Sequence, residues 1–127
     1  MSLLDTHYHL LVTIETENLD RGMQRLNGCY AGFFNRTHER RGHLFGDRFY
    51  NGPVVDEAHF LLTLRYIARN RKEAGLARDP ASDKRSSYPG VIGVEPCWPF
   101  VDREALLAHF GSGEDAVRRL REFVEGD

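Results

Sequence analysis

Leu3–Ile14, LLDTHYHLLVTI, is the stretch on which the reading of this chain turns. Apolar and β-branched residues dominate it, and His7 and His9 stand two positions apart on either side of Tyr8. That composition predicts a buried strand, and side chains that alternate along a strand put both imidazoles on one face. Two neutral imidazoles side by side form half of a metal site, which still needs at least one more oxygen or nitrogen ligand. A pair of partly buried, hydrogen-bonded structural histidines fits the same pattern.

Outward from this stretch, the acidic TIETEN leads to Asn18, a plausible helix N-cap. Leu19, Met23, Leu26, Tyr30, Phe33 and Phe34 then recur at spacings of three and four, which predicts an amphipathic helix to about Arg36. Gly22, Gly28 and Gly32 lie within it, each costing up to about 1 kcal/mol relative to alanine. A basic turn around Arg40, Arg41 and Gly42 follows, and then an extended segment from His43 to Val55. Its aromatics Phe45, Phe49 and Tyr50 interleave with His43 and Arg48, a pattern suited to stacking unpaired bases. By themselves these residues fit an ordinary amphipathic strand, its rings turned to the core, better than a base-stacking platform.

Asp56 is expected to cap a second helix with Phe60, Leu61, Leu64, Ile67 and Ala68 as its buried stripe, ending near Gly75. Tyr66 and Asn70 are one turn apart there, so a hydroxyl and an amide oxygen emerge on one face. The alternative is a packed tyrosine ring beside a helix-end asparagine. From Asp79 the polar connector DPASDKRSSYPG leads into the proline-broken VIGVEPCWPF, whose Trp98 and Phe100 are expected to pack against the body. Asp102 caps a short helix over 103–110, and a last helix runs over 114–124 after the Gly111-Ser112-Gly113 break, its acids early and its arginines late. These elements divide the chain at 1–78 and 79–127.

A chain of 127 residues, 41% hydrophobic and 28% charged, has room for one modest core. Cys29 and Cys97 are far apart and form no CxxC motif, which suits a reducing cytoplasm. No apolar run has the length of a membrane span, so a soluble, cytoplasmic protein is expected. The net charge of −2 is unevenly spread, with −3 over residues 1–17, +5 over 18–78 and −4 over 79–127. A basic middle beside a candidate metal site is what a phosphodiester substrate requires, although a solvated helix face produces the same asymmetry.

Three blocks together resemble a known family. HxHLLV, then NLxRGMQRLNGxYAxxFNRxHxRxGHLFxxRF, then a helix bearing RYIxxN and closing at AGL, are similar in order and spacing to the REP-associated tyrosine transposases. These are single-tyrosine HUH endonucleases related to insertion-sequence transposases. The resemblance is dense over 3–76 and looser from Ser86-Ser87-Tyr88 onward. It implies an α+β fold: a ferredoxin-like HUH domain, with an antiparallel sheet and helices on one face, plus a C-terminal helical tail. It implies an enzyme that cleaves and rejoins single-stranded DNA near hairpins, with Tyr66 as nucleophile, His7, His9 and Asn70 as ligands of Mg²⁺ or Mn²⁺, and Arg40, Arg41, His43, Arg48, Arg65 and Arg69 against the DNA. In the family a strand, a helix and another strand precede HxH, whereas six residues precede His7 here. The expectation is a partial domain whose open sheet edge is completed in a homodimer. A catalytically inactive remnant that only binds DNA is the alternative. The family's Trp residues before SSY are also replaced, by Ser82-Asp83-Lys84.

Overall fold

The computed structural model describes residues 1–127 as a mixed α/β chain that is mostly helical. Strands β1 (Ser2–Leu3) and β2 (Tyr8–His9) pair antiparallel, with Ser2 opposite His9 and Leu3 opposite Tyr8. Five helices follow: α1 (Leu19–Thr37), α2 (Glu57–Glu73), α3 (Tyr88–Val91), α4 (Arg103–Ala108) and α5 (Gly113–Glu125), with a 3₁₀ turn at Pro80–Ser82.

The single strand expected over 3–14 is instead a short hairpin. Leu4 N–H donates to His7 O at 2.8 Å across the Asp5-Thr6 turn, which spends the middle of the stretch on reversing the chain. Leu10–Ile14 lies outside any strand. Strand conformation persists where a neighbour takes its backbone hydrogen bonds, and no strand lies beside these residues. The same reason applies to the segment from His43 to Val55, which is bends and irregular chain.

Two compact units divide the chain, residues 1–11 with 54–127, and residues 12–53. They cut across the 78/79 boundary read in the sequence, because the tail is the core of the first unit. Leu64 and Ala68 of α2, Tyr88 and Val91 of α3, Ile92, Leu107 of α4 and Ala116, Leu120 and Val124 of α5 form one buried cluster. The tail also closes the outer edge of β1: Ser2 and Ser86 form an antiparallel bridge, Leu3 N–H donates to Arg85 O at 2.9 Å, and Ser87 N–H donates to Met1 O at 3.0 Å. The edge expected to seek a second copy is thus taken, on the β1 side, by the chain's own SSY segment. Phe100 is exposed and Trp98 half-buried, their rings 5.7 Å apart. Tyr88, Val91 and Ile92 take the core places expected of them. Gly90 permits this, since a Cβ there would lie 2.8 Å from Cys97 Cα.

A buried ion pair docks the connector. Arg71 Nε donates to Asp83 Oδ1 at 3.0 Å, with both side chains almost wholly buried. The other guanidinium nitrogens donate to Leu3 O at 2.6 Å and Leu76 O at 3.3 Å. One arginine thereby ties together β1, the end of α2 and the connector. Asp83 lies in the polar Ser82-Asp83-Lys84 triplet of the connector, which is where the tail is anchored.

In the second unit, α1 begins after Asn18, whose carbonyl accepts from Gly22 N–H at 3.0 Å while its side chain makes no capping bond. The turn after α1 is held by Asn35 Nδ2 donating to Gly42 O at 2.9 Å, and by Arg40 donating to Asn35 Oδ1 and His43 O, both at 3.3 Å. Gly42 has φ of 90° there, a region open to glycine at little cost.

Candidate functional site

The hairpin and α2 bring the expected catalytic residues together. His7, at the end of the turn, and His9, on β2, have ring centroids 5.0 Å apart and ring planes nearly perpendicular. Asp56 starts α2 by accepting from His59 N–H at 2.7 Å. Three turns later the helix presents Tyr66, whose ring centroid is 5.4 Å from that of His9, edge to face. Tyr66 is about half exposed, at 51%, with its ring against the imidazole. Asn70, one turn further along α2, is partly buried.

Two atoms of this group lack the partners that buried polar atoms ordinarily have. His9 Nε2 and Asn70 Oδ1 are both buried without a hydrogen bond. Each carries a lone pair, and a cation is one of the few partners that both accept. Burial, and then the neighbouring His7, pull the His9 pKa below its ordinary value. The neutral, lone-pair-bearing imidazole is therefore favoured. His7 is exposed, with Nδ1 3.0 Å from Thr6 Oγ1, which leaves Nε2 as its other ring nitrogen. His9 Nε2 and Asn70 Oδ1 are thus each without a partner inside the chain, and no group of three or more His, Cys, Asp or Glu side chains is placed to hold a metal ion.

The expected DNA-contacting residues divide between the two units. Arg40, Arg41, His43 and Arg48 belong to the second unit, where Arg40 holds the turn and Arg48 pairs with Asp20 at 3.5 Å. Arg65 and Arg69 belong to the first and are engaged by α5. Arg65 donates to Gly126 O at 2.7 Å and lies 5.8 Å from the Phe123 ring centroid. Arg69 donates to Val124 O at 2.9 Å, Gly126 O at 3.1 Å and Glu73 at 3.0 Å. The carbonyls at a helix C-terminus lack intrahelical donors, and these two arginines supply them. Arg71 is the residue that sequence reasoning passed over. Its position one turn beyond Ile67, on the apolar stripe of α2, was the available signal, because a guanidinium on a buried face requires a fixed partner.

Two surface concavities, about 260 Å³ beside Ser86, Ser87 and Trp98 and about 430 Å³ between α4 and α5, include none of His7, His9, Tyr66 and Asn70. No helix is long and apolar enough to cross a membrane. Comparison with protein-family models, with curated proteins and with solved structures finds no match to this chain.

Proposed function

We propose that this chain carries the catalytic residues of a single-tyrosine HUH-type transposase, acting on single-stranded DNA near hairpins in the cytoplasm. The observation that carries this reading is the contact of Tyr66 with His9 at 5.4 Å, itself 5.0 Å from His7, between residues 57 positions apart in the chain. In this reading the β1–β2 hairpin is part of a ferredoxin-like sheet, and α2 is the nucleophile helix laid against it.

The chemistry follows from the side chains. The Tyr66 oxygen attacks the scissile phosphorus in line and gives up its proton; the new Oη–P bond replaces the P–O3′ bond, and the leaving 3′ oxygen takes up a proton as a free hydroxyl. One phosphodiester is exchanged for another, so the 5′-phosphotyrosine retains the energy needed to rejoin strands. His7, His9 and Asn70 would hold Mg²⁺ or Mn²⁺, which supplies Lewis-acid polarisation of the phosphate when bound. His9, neutral by burial, offers its Nε2 lone pair.

A second reading, DNA binding without cleavage, is favoured by the engagement of Arg65 and Arg69 with α5. The two arginines that flank Tyr66 and Asn70 in sequence are then not available to phosphates, while Arg41 of the second unit is exposed.

The test is incubation of the chain with a labelled single-stranded hairpin and Mg²⁺ or Mn²⁺, analysed on a denaturing gel beside Tyr66→Phe. A covalent protein–DNA adduct, lost in Tyr66→Phe and strongly reduced in His9→Ala, is expected. An adduct that survives Tyr66→Phe refutes the assignment of the nucleophile. A hairpin that shifts on a native gel but never forms an adduct selects the binding-only reading.

A further inference from the structure

Helix α1 presents an exposed apolar face within the unit of residues 12–53. Of the stripe predicted from its periodicity, Met23 is buried, but Leu26, Tyr30 and Phe33 remain 50%, 50% and 57% exposed. Gly22, Leu26, Cys29 and Phe33 follow one another at spacings of four, three and four, so they share one side of the helix, with Tyr30 beside them. All five are exposed. A methyl group placed on Gly22 would meet nothing within 4 Å. Three half-open large side chains in a row beside an open glycine form a surface of knobs with a hole, the relief that a second helix fills.

The charges around this face are segregated by end. Glu15, Glu17 and Asp20 lie at its N-terminal end with no cation among residues 15–20, while Arg36, Arg40 and Arg41 lie at its C-terminal end against Glu39 alone. Asp20 is paired with Arg48, and Arg40 is held in its turn. Glu15, Glu17, Arg36 and Arg41 make no ion pair within the chain. Such a surface complements itself when it is turned end for end.

From this arrangement we infer that the outward face of α1 is a self-association surface, on which a second copy of this chain packs its own α1 antiparallel about a two-fold axis. With the helix midpoints together, Phe33 of each copy lies over Gly22 of the other, and Leu26 faces Cys29. Arg25 falls opposite the Tyr30 ring of the other copy, within reach of a cation–π contact. The acidic end of each helix meets the arginines of the other, and the two macrodipoles oppose. A two-fold axis requires that one patch be its own complement, and this patch is. The surface differs from the sheet edge, and its existence does not depend on the nuclease reading. One helix face per copy is a small interface, so the pairing is expected at micromolar rather than nanomolar concentration.

Sedimentation of the full chain over about 1–200 µM, a range that brackets weak interfaces, tests this directly. The expected result is a concentration-dependent dimer that Phe33→Glu makes monomeric while leaving the helical circular dichroism unchanged. Two charge variants carry the sharper test. Glu15→Arg with Glu17→Arg makes both ends of the face basic, and Arg36→Glu with Arg41→Glu makes both ends acidic, without removing an ion pair of the monomer. Each variant alone is expected to dimerise at least about tenfold more weakly than the parent chain, and an equimolar mixture to regain the lost affinity as a heterodimer. A parent chain that remains monomeric throughout, as it does if a different protein or a nucleic acid covers this face, overturns the inference. So does a dimer that survives Phe33→Glu, or a mixture of the charge variants that associates no better than either alone.

Discussion

At the scale of single residues, Arg71 is the buried charge that ties the hairpin, the end of α2 and the connector together. Its guanidinium serves Asp83, Leu3 O and Leu76 O together, and both members of the ion pair are buried. Removing one member leaves the other charge buried and uncompensated. Arg71→Ala is therefore expected to lower the stability of the chain by about 3–5 kcal/mol in urea denaturation. Arg71→Met combined with Asp83→Leu, which leaves no orphaned charge, is expected to recover much of that loss. Tyr88 makes a second, pH-dependent contribution. Its hydroxyl donates to Glu125 Oε1 at 2.8 Å within the core, and burial, followed by that carboxylate, raises its pKa well above the ordinary tyrosine value. The folded state retains this proton after the unfolded chain has lost it. The contribution is thus complete below the ordinary tyrosine pKa of about 10 and is lost as pH rises beyond it. Denaturation midpoints measured between about pH 8 and 11, across the ordinary tyrosine range, are expected to fall more steeply for the parent chain than for Tyr88→Phe. Parallel curves would remove Tyr88 as the source.

At the scale of elements, α2 joins the core to the candidate site. Leu64 and Ala68 face the buried cluster while Tyr66 faces His9, so the position of Tyr66 is set by how α2 packs. The helix starts where Asp56 satisfies His59 N–H and stops where Gly75 turns to φ of 72°. Asp56→Ala removes one satisfied N–H at a frayable end and is expected to cost about 1 kcal/mol, with faster amide exchange confined to the first turn of α2. Exchange that accelerates equally along all of α2 would contradict a local capping role. The capping aspartates Asp56 and Asp102 and the extent of α1 were readable from sequence because caps and helical periodicity are local properties. Strand length was not readable, since a strand exists only through a partner that need not be nearby in the chain.

At the scale of the molecule, the weight of the core lies in the tail. Leu120 and Val124 of α5 are fully buried, and Tyr50 in the irregular segment after α1 is 95% exposed. Leu120→Ala is expected to cost about 2–5 kcal/mol, and Tyr50→Ala to fall within about 0.5 kcal/mol of the parent. Chemical denaturation of the two variants measures the difference directly, and comparable losses would contradict the placement of the core. The region that reads as an accessory to the candidate chemistry is therefore the region that supports it. α5 packs on α2 and ties down Arg65 and Arg69 on either side of Tyr66 in sequence.

The sequence by itself determined the two long helices, the Asp56 cap, the distribution of charge and the side chains that could share a site, because each depends on residue type and short-range spacing. His7 and His9 could be paired from their separation, and Tyr66 with Asn70 from one helical turn. Only the tertiary structure decided that Tyr66 meets His9. It also decided that the outer edge of β1 is closed by Ser86, that Arg71 spends its charge on Asp83, and that Leu26, Tyr30 and Phe33 remain open on α1. Each of these is an encounter between residues distant in the chain, or the lack of one. Periodicity states which face of a helix is apolar, but only packing determines what, if anything, covers it.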